Sequence, residues 1–199
     1  MGQLINGQWT KSSVITSDNS GAFVRKESQF RHWISQKENF KPESNRYHLY
    51  VSYACPWAHR VLIMRELKEL NKHISIDVVH PNMMENGWSF DSNFENATGD
   101  TLYKKKYLYE IYQLCSDKIS TKVTVPILWD KNTQQIVNNE SSEILRIFNS
   151  SGCYEDITKP ISVGRGYYIL KPNVFTPFED DNINDNFSLL ISGFVNYNF

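Results

Sequence analysis

The stretch "YHLYVSYACPWAHRVLIMREL" (Tyr47–Leu67) constrains the fold more than any other part of the chain. Tyr47–Tyr53 is rich in aromatic and β-branched residues and bounded by turn formers, which predicts a buried strand. From Pro56 to Leu70 no further Gly or Pro interrupts a run of Ala, Leu, Met, Arg, Lys and Glu, which predicts a helix. Pro56 at its first position marks the start. Apolar residues surround the first two turns instead of forming one stripe, so burial on several sides is expected. "ISIDVVH" (Ile74–His80) predicts a second strand. Strand, helix and strand in this order require a parallel pair joined by a right-handed crossover.

Further along, a loop containing Gly87 and Gly99 leads to a predicted helix over Leu102–Cys115. Val125–Asp130 and Gln134–Asn139 predict short strands joined as a hairpin through "DKNT". Glu140–Phe148 predicts a helix whose first turn is built of serines and glutamates, residue types suited to a helix N-terminus. A βαβ unit followed by a ββα unit is the thioredoxin-like α/β arrangement. Residues 1–45 read as an irregular N-terminal extension with a turn at Ser17–Gly21 and a short helix around Glu27–Ser35. Residues 46–152 read as the thioredoxin-like domain. Residues 153–199 have no helical period and read as a divergent tail.

A formal charge of -1 over 199 residues predicts no bulk attraction to nucleic acid or anionic lipid. Lys104–Lys106, the one run of three basic residues, reads as a solvated helix face. No stretch is long and apolar enough to predict a membrane span, and the first residues lack a secretory h-region. The three cysteines, Cys55, Cys115 and Cys153, are widely spaced and odd in number, which predicts neither a disulfide framework nor a zinc cluster. The expectation is a cytoplasmic, reduced protein without a metal.

Cys55 lies between a strand and a helix that starts at Pro56. Helix N-terminal N–H groups favour an anion, and the thiolate is the reactive form of cysteine. The placement therefore predicts a reactive thiol, whereas Cys115 and Cys153 lack this context. The position three residues on is Ala58, so Cys55 has no resolving partner in its own motif. Its oxidised form must be relieved by an external thiol, and the abundant cytosolic one is glutathione. His59 has no orienting Asn or Asp and reads as an exposed helix-surface residue, not a base. Val125-Pro126 at a strand start is a candidate cis bond, with Pro126 structural and the Val125 backbone exposed to a peptide ligand. A tolerated edge-strand proline reads equally well. In "NNESSEI", Ser141 and the helix-start N–H groups suit a carboxylate and Glu140 suits an ammonium, the two groups on the γ-glutamyl end of glutathione. A plain helix cap is the alternative.

"YACPWAHR", "GWSF", "VTVPILWD" and "VNNESSEI", in this order, closely resemble the Xi-class glutathione transferases, or glutathionyl-hydroquinone reductases, and their fungal omega-like relatives. "GAFVRKESQFRHWI" (Gly21–Ile34) resembles the N-terminal extension of that family. The resemblance implies a thioredoxin-like glutathione-binding domain followed by an all-helical one. It implies reductive deglutathionylation of glutathionyl-hydroquinones through a mixed disulfide on Cys55, with thioltransferase and dehydroascorbate reductase activities. Glutathione contacts are implied at Trp88, Lys122, Val123, Thr124, Val125, Glu140 and Ser141. The family usually has arginine at the position of Lys122; lysine keeps the charge and loses the fork. Partners implied are glutathione and a small electrophilic or disulfide substrate, with a homodimer left open. Residues 153–199 do not match the family's helical domain, so a truncated or divergently spliced chain is expected, with Ile144, Leu145, Ile147 and Phe148 short of cover. The alternative function is a catalytically weak or inactive glutathione-binding protein.

Overall fold

Tyr47–Val51 forms a strand whose five residues are all buried, as a central strand covered on both faces must be. The computed structural model describes residues 2–11 and 28–150, and within them the elements run in the expected order. They are β1 (Gly2–Ile5), β2 (Gln8–Lys11), β3 (Tyr47–Val51), α1 (Pro56–Leu67), β4 (Ser75–Val78), α2 (Leu108–Cys115), β5 (Thr121–Lys122), β6 (Ile127–Asp130), β7 (Gln135–Asn138) and α3 (Ser141–Asn149). The main sheet has the order β4-β3-β6-β7. Strand β3 is parallel to β4 and antiparallel to β6, and β7 runs antiparallel to β6. This is the expected thioredoxin-like arrangement.

Helix α1 packs against α3. Ala58 and Val61 of α1, and Ile144, Leu145, Ile147 and Phe148 of α3, are buried. The α3 face expected to lack cover therefore has it. Helix α1 stops at Leu67, short of Leu70, because Glu69 turns left-handed at φ 52.

Helix α2 begins at Leu108, six residues after the predicted Leu102 start. The carboxylate of Asp100 accepts the N–H groups of Leu102, Tyr103 and Lys105 and winds that stretch into a loop. Glu110 then caps the helix by accepting from the N–H groups of Lys106 and Tyr107, both at 2.8 Å. Lys104–Lys106 thus lies in a loop and not on a helix face.

Two features were not expected. Within the extension, β1 and β2 form a hairpin whose turn, Asn6-Gly7, has φ 49 and 76, the left-handed pair that Asn-Gly favours. A Cβ on Gly7 would lie 1.7 Å from the Asp117 carbonyl, so the turn admits only glycine. The hairpin joins the domain by pairing β1 with β5. The predicted helix around Glu27–Ser35 is not formed over residues 28–35. That segment lies extended beside β7: Asn139 N–H donates to Phe30 O at 3.0 Å and His32 N–H to Val137 O at 2.9 Å. Pairing with an open sheet edge outweighs a weak local preference for helix. Cys153 and the tail over 153–199 lie outside the described residues.

Candidate active site

The strand directions decide where the predicted site residues meet. The C-terminal end of β3, the N-terminal end of β6 and the C-terminal end of β7 fall on one edge of the sheet. Cys55 follows β3, Val125-Pro126 precedes β6, and Glu140–Ser141 follows β7. Segments far apart in sequence are thereby gathered.

Cys55 is the N-cap of α1, with Pro56 at the first helical position and no hydrogen bond from its side chain to the helix. Its Sγ donates to the Val125 carbonyl at 3.7 Å across 70 residues of sequence. The Val125-Pro126 bond is cis. Cys55 is half-buried, while Tyr53 and Trp57 on either side are 54% and 46% exposed. His59 is half-buried, not exposed, flanked by the buried Ala58 and Arg60. Cys115 offers a contrast: burial pushes its thiol up to about 11, and its sulfur accepts the Ile136 N–H at 3.4 Å.

The segment leading into Pro126 is held by a residue that sequence reasoning missed. Tyr112 Oη donates to Thr124 O at 3.0 Å and accepts the Thr124 N–H at 3.2 Å and an Asn139 Nδ2–H at 3.3 Å. Its one donor and both acceptor sites are in use. Burial pushes the phenol pKa up, so the donor proton stays. This peg ties the segment before Pro126 to the segment before α3. Leu108, Ile111 and Tyr112 form the buried side of α2, so burial of Tyr112 could be read from the helical spacing, but its partners could not. Along the same segment Val123 and Val125 are buried, Thr124 is exposed, and Lys122 pairs with Gln3.

At the start of α3, Glu140 is the N-cap. Its carboxylate accepts from the Ser142 N–H at 3.4 Å and from the Ser28 hydroxyl at 3.0 Å. Ser141 is 3% exposed. Its hydroxyl accepts from Arg60 Nε at 3.2 Å and from Arg60 Nη2, so α1 and α3 meet through this pair. Glu143, on the first turn, accepts from Arg31 Nε and from Asn138 Nδ2, each at 2.9 Å. Burial raises the Glu143 pKa, and these donors outweigh it and hold the carboxyl below its usual range. Trp88 is placed by a different part of the chain: its carbonyl accepts the Leu108 N–H at 2.9 Å, against the start of α2.

This arrangement can present a sulfur nucleophile to a peptide lying along Val125, with anion- and cation-binding groups at the start of α3. Residues 54–151 match the family model described as the glutathione S-transferase N-terminal domain. The chain is 50% identical over 159 residues to glutathionyl-hydroquinone reductase YqjG of Escherichia coli, covering 76% of this chain and 48% of that one. It is 45% identical over 184 residues to glutathionyl-hydroquinone reductase PcpF of Sphingobium chlorophenolicum, covering 92% and 55%. The chain thus spans about half the length of the curated relatives it matches. The glutathione-bound structure of YqjG superposes with a TM-score of 0.60 at 53% identity, covering 61% of this chain and 42% of that one. The Xi-class transferase of Natrialba magadii superposes with a TM-score of 0.67 at 40% identity, covering 77% and 46%. Identity at this level, spread over most of the chain and shared with proteins of one class, leaves one assignment: the chain belongs to the Xi-class glutathione transferases, the family of the glutathionyl-hydroquinone reductases, and spans their N-terminal thioredoxin-like domain.

Proposed function

We propose that this chain is a glutathione-dependent thiol transferase in which Cys55 is the nucleophile. Its thiolate attacks the glutathionyl sulfur of a mixed disulfide or of a glutathionyl-hydroquinone. A disulfide between Cys55 and glutathione forms as the bond from that sulfur to the departing group breaks, and the departing thiolate or hydroquinone carbon takes a proton. A second glutathione, as thiolate, attacks the glutathionyl sulfur, and oxidised glutathione and the Cys55 thiolate are released. The two electrons that reduce the substrate bond come from the two sulfurs that end joined in oxidised glutathione.

The observation that carries this reading is the Cys55 sulfur 3.7 Å from the Val125 carbonyl, on the sheet edge where Glu140 and Ser141 open α3. In this reading the glutathione backbone lies along Val125, its ammonium meets Glu140, and its γ-glutamyl carboxylate meets Ser141 and the first N–H groups of α3. Trp88, Lys122, Val123 and Thr124 complete the glutathione-binding wall of a domain spanning 46–152. The glutathione carried by the E. coli relative supports glutathione as co-substrate. The setting is a compartment rich in reduced glutathione, such as the cytoplasm.

The test is an assay of the purified chain with glutathione, a glutathione mixed disulfide and a glutathionyl-hydroquinone, beside Cys55→Ser. Exchange on the mixed disulfide that is lost in Cys55→Ser, with a glutathione adduct found on Cys55 by mass spectrometry, is the expected result. Turnover of the glutathionyl-hydroquinone is read in the same assay and should likewise be lost in Cys55→Ser. Binding of glutathione without any adduct would favour the binding-protein reading instead.

A further inference from the structure

We infer that Arg60 is a positioning residue that turns Ser141 into a dedicated donor toward the γ-glutamyl carboxylate of glutathione; the inference rests on the glutathione reading above. A serine hydroxyl has one proton to give and two lone pairs to offer. Arg60 directs both Nε–H and Nη2–H at the Ser141 oxygen. With both lone pairs taken, the hydroxyl can act outward only as a donor. A ligand group at this point must therefore be an acceptor, and the guanidinium behind the hydroxyl favours one that is negatively charged. An ammonium in the same place would meet a hydroxyl with no lone pair left and a fixed positive charge.

The geometry that allows this is specific to arginine. Arg60 is 7% exposed, and its guanidinium lies 4.7 Å from the centre of the Trp57 ring, which holds the planar fork in place. A lysine would offer one ammonium without the parallel pair of N–H groups or the stacking plane. Arg60 and Cys55 belong to the same helix start, so the contact also fixes the distance between the sulfur and the carboxylate receptor. Arg60 acts through Ser141 and need not touch the ligand.

The experiment compares two ligands on four proteins. Affinity is measured by titration calorimetry for glutathione and for 4-aminobutanoyl-cysteinylglycine, which is glutathione without the γ-glutamyl carboxylate. The proteins are the wild type, Arg60→Lys, Ser141→Ala and the double variant. Arg60→Lys is expected to weaken glutathione about tenfold and to leave the decarboxylated analogue within about twofold. In the Ser141→Ala background, Arg60→Lys should cost glutathione less than about twofold, because the hydroxyl it acts on is gone. An equal loss for both ligands in Arg60→Lys, or a full tenfold loss in the Ser141→Ala background, overturns the inference and leaves the glutathione reading standing. A wild-type chain that binds neither ligand overturns both. If Arg60→Lys does not fold, Ser141→Ala alone decides: it must lose glutathione selectively, and an equal loss of both ligands refutes the role.

Discussion

Arg46 and Asp130 make a buried ion pair outside the site, and replacing Asp130 with Asn tests it. Asp130 is fully buried and Arg46 is 8% exposed. Two bonds join them, Nε to Oδ1 at 2.9 Å and Nη2 to Oδ2 at 2.7 Å. The same carboxylate also accepts from the Asn132 N–H at 3.1 Å and the Thr133 hydroxyl at 2.8 Å. Asparagine keeps one of the two acceptor oxygens and turns an N–H toward donors, leaving the guanidinium with the exposed Glu43 carboxylate, 3.6 Å from Nη1, in place of its buried counter-charge. Breaking a buried pair in this way costs about 3–5 kcal/mol, which lowers the melting temperature of a domain of this size by roughly 10–20 °C. The contact spans the end of the sheet opposite the site, where Tyr47 of β3 is registered against Asp130 of β6. Thermal and urea unfolding followed by circular dichroism measure the loss. A melting temperature within about 2 °C of wild type would refute the reasoning. The double replacement Arg46→Met with Asp130→Leu should recover most of the stability, because it removes the stranded charge as well as the pair. The pH dependence has a definite sign. Burial raises the Asp130 pKa, but the bonds from Arg46, Thr133 and Asn132 outweigh it and hold the folded value below the usual one. Stabilisation from this group is therefore complete above about pH 4, the ordinary value for aspartate, and is lost as pH falls through the depressed folded value. The gap between wild type and Asp130→Asn should close below pH ~4 and stay constant above it.

Two further outcomes are expected. In a Cys153→Ser background, iodoacetamide at neutral pH should modify Cys55 and spare Cys115, whose thiol burial pushes up to about 11; peptide mapping reads the sites, and equal labelling in the folded chain would contradict the burial argument. Tyr112→Phe removes a hydroxyl that fills three bonds and leaves the Thr124 backbone and Asn139 without that partner. It should cost about 1–3 kcal/mol in urea unfolding and raise the KM for glutathione, whereas an unchanged stability would show that water replaces the phenol at no cost.

The main sheet was legible because β3, β4, β6 and β7 are short, apolar and bounded by turn formers, and because Pro56 marks the start of α1 without ambiguity. What the residues could not reveal was decided by partners distant in sequence. Nothing near Leu102 shows that Asp100 will collect the following N–H groups and delay α2 to Leu108. Asn6-Gly7 is a hairpin turn pair, but β2, with its exposed ends, lacks the apolar run that predicts a strand beside it. Within the site, the types of Cys55, Glu140 and Ser141 at helix starts suggest their chemistry, and a carboxylate or hydroxyl there serves equally as a helix cap. Arg60 and Tyr112 have ordinary helical positions, and their roles appear only when α1 meets α3 and α2 meets the segment before Pro126.

The N-terminal extension is more than an appendage to the candidate site. The Ser28 hydroxyl donates to Glu140, and Arg31 pairs with Glu143 one turn into α3. Asn138, whose side-chain oxygen accepts the Glu140 N–H at 2.8 Å, donates from its side chain to both the His32 carbonyl and Glu143. The negative groups at the start of α3 are thus oriented by residues that precede the thioredoxin-like domain in sequence. The contact from Ser28 fixes one oxygen of Glu140 from outside the helix, and Ser142 engages the other from the first turn. Residues 28–32 hold the start of α3 through these contacts, so the orientation of Glu140 and Glu143 depends on the extension.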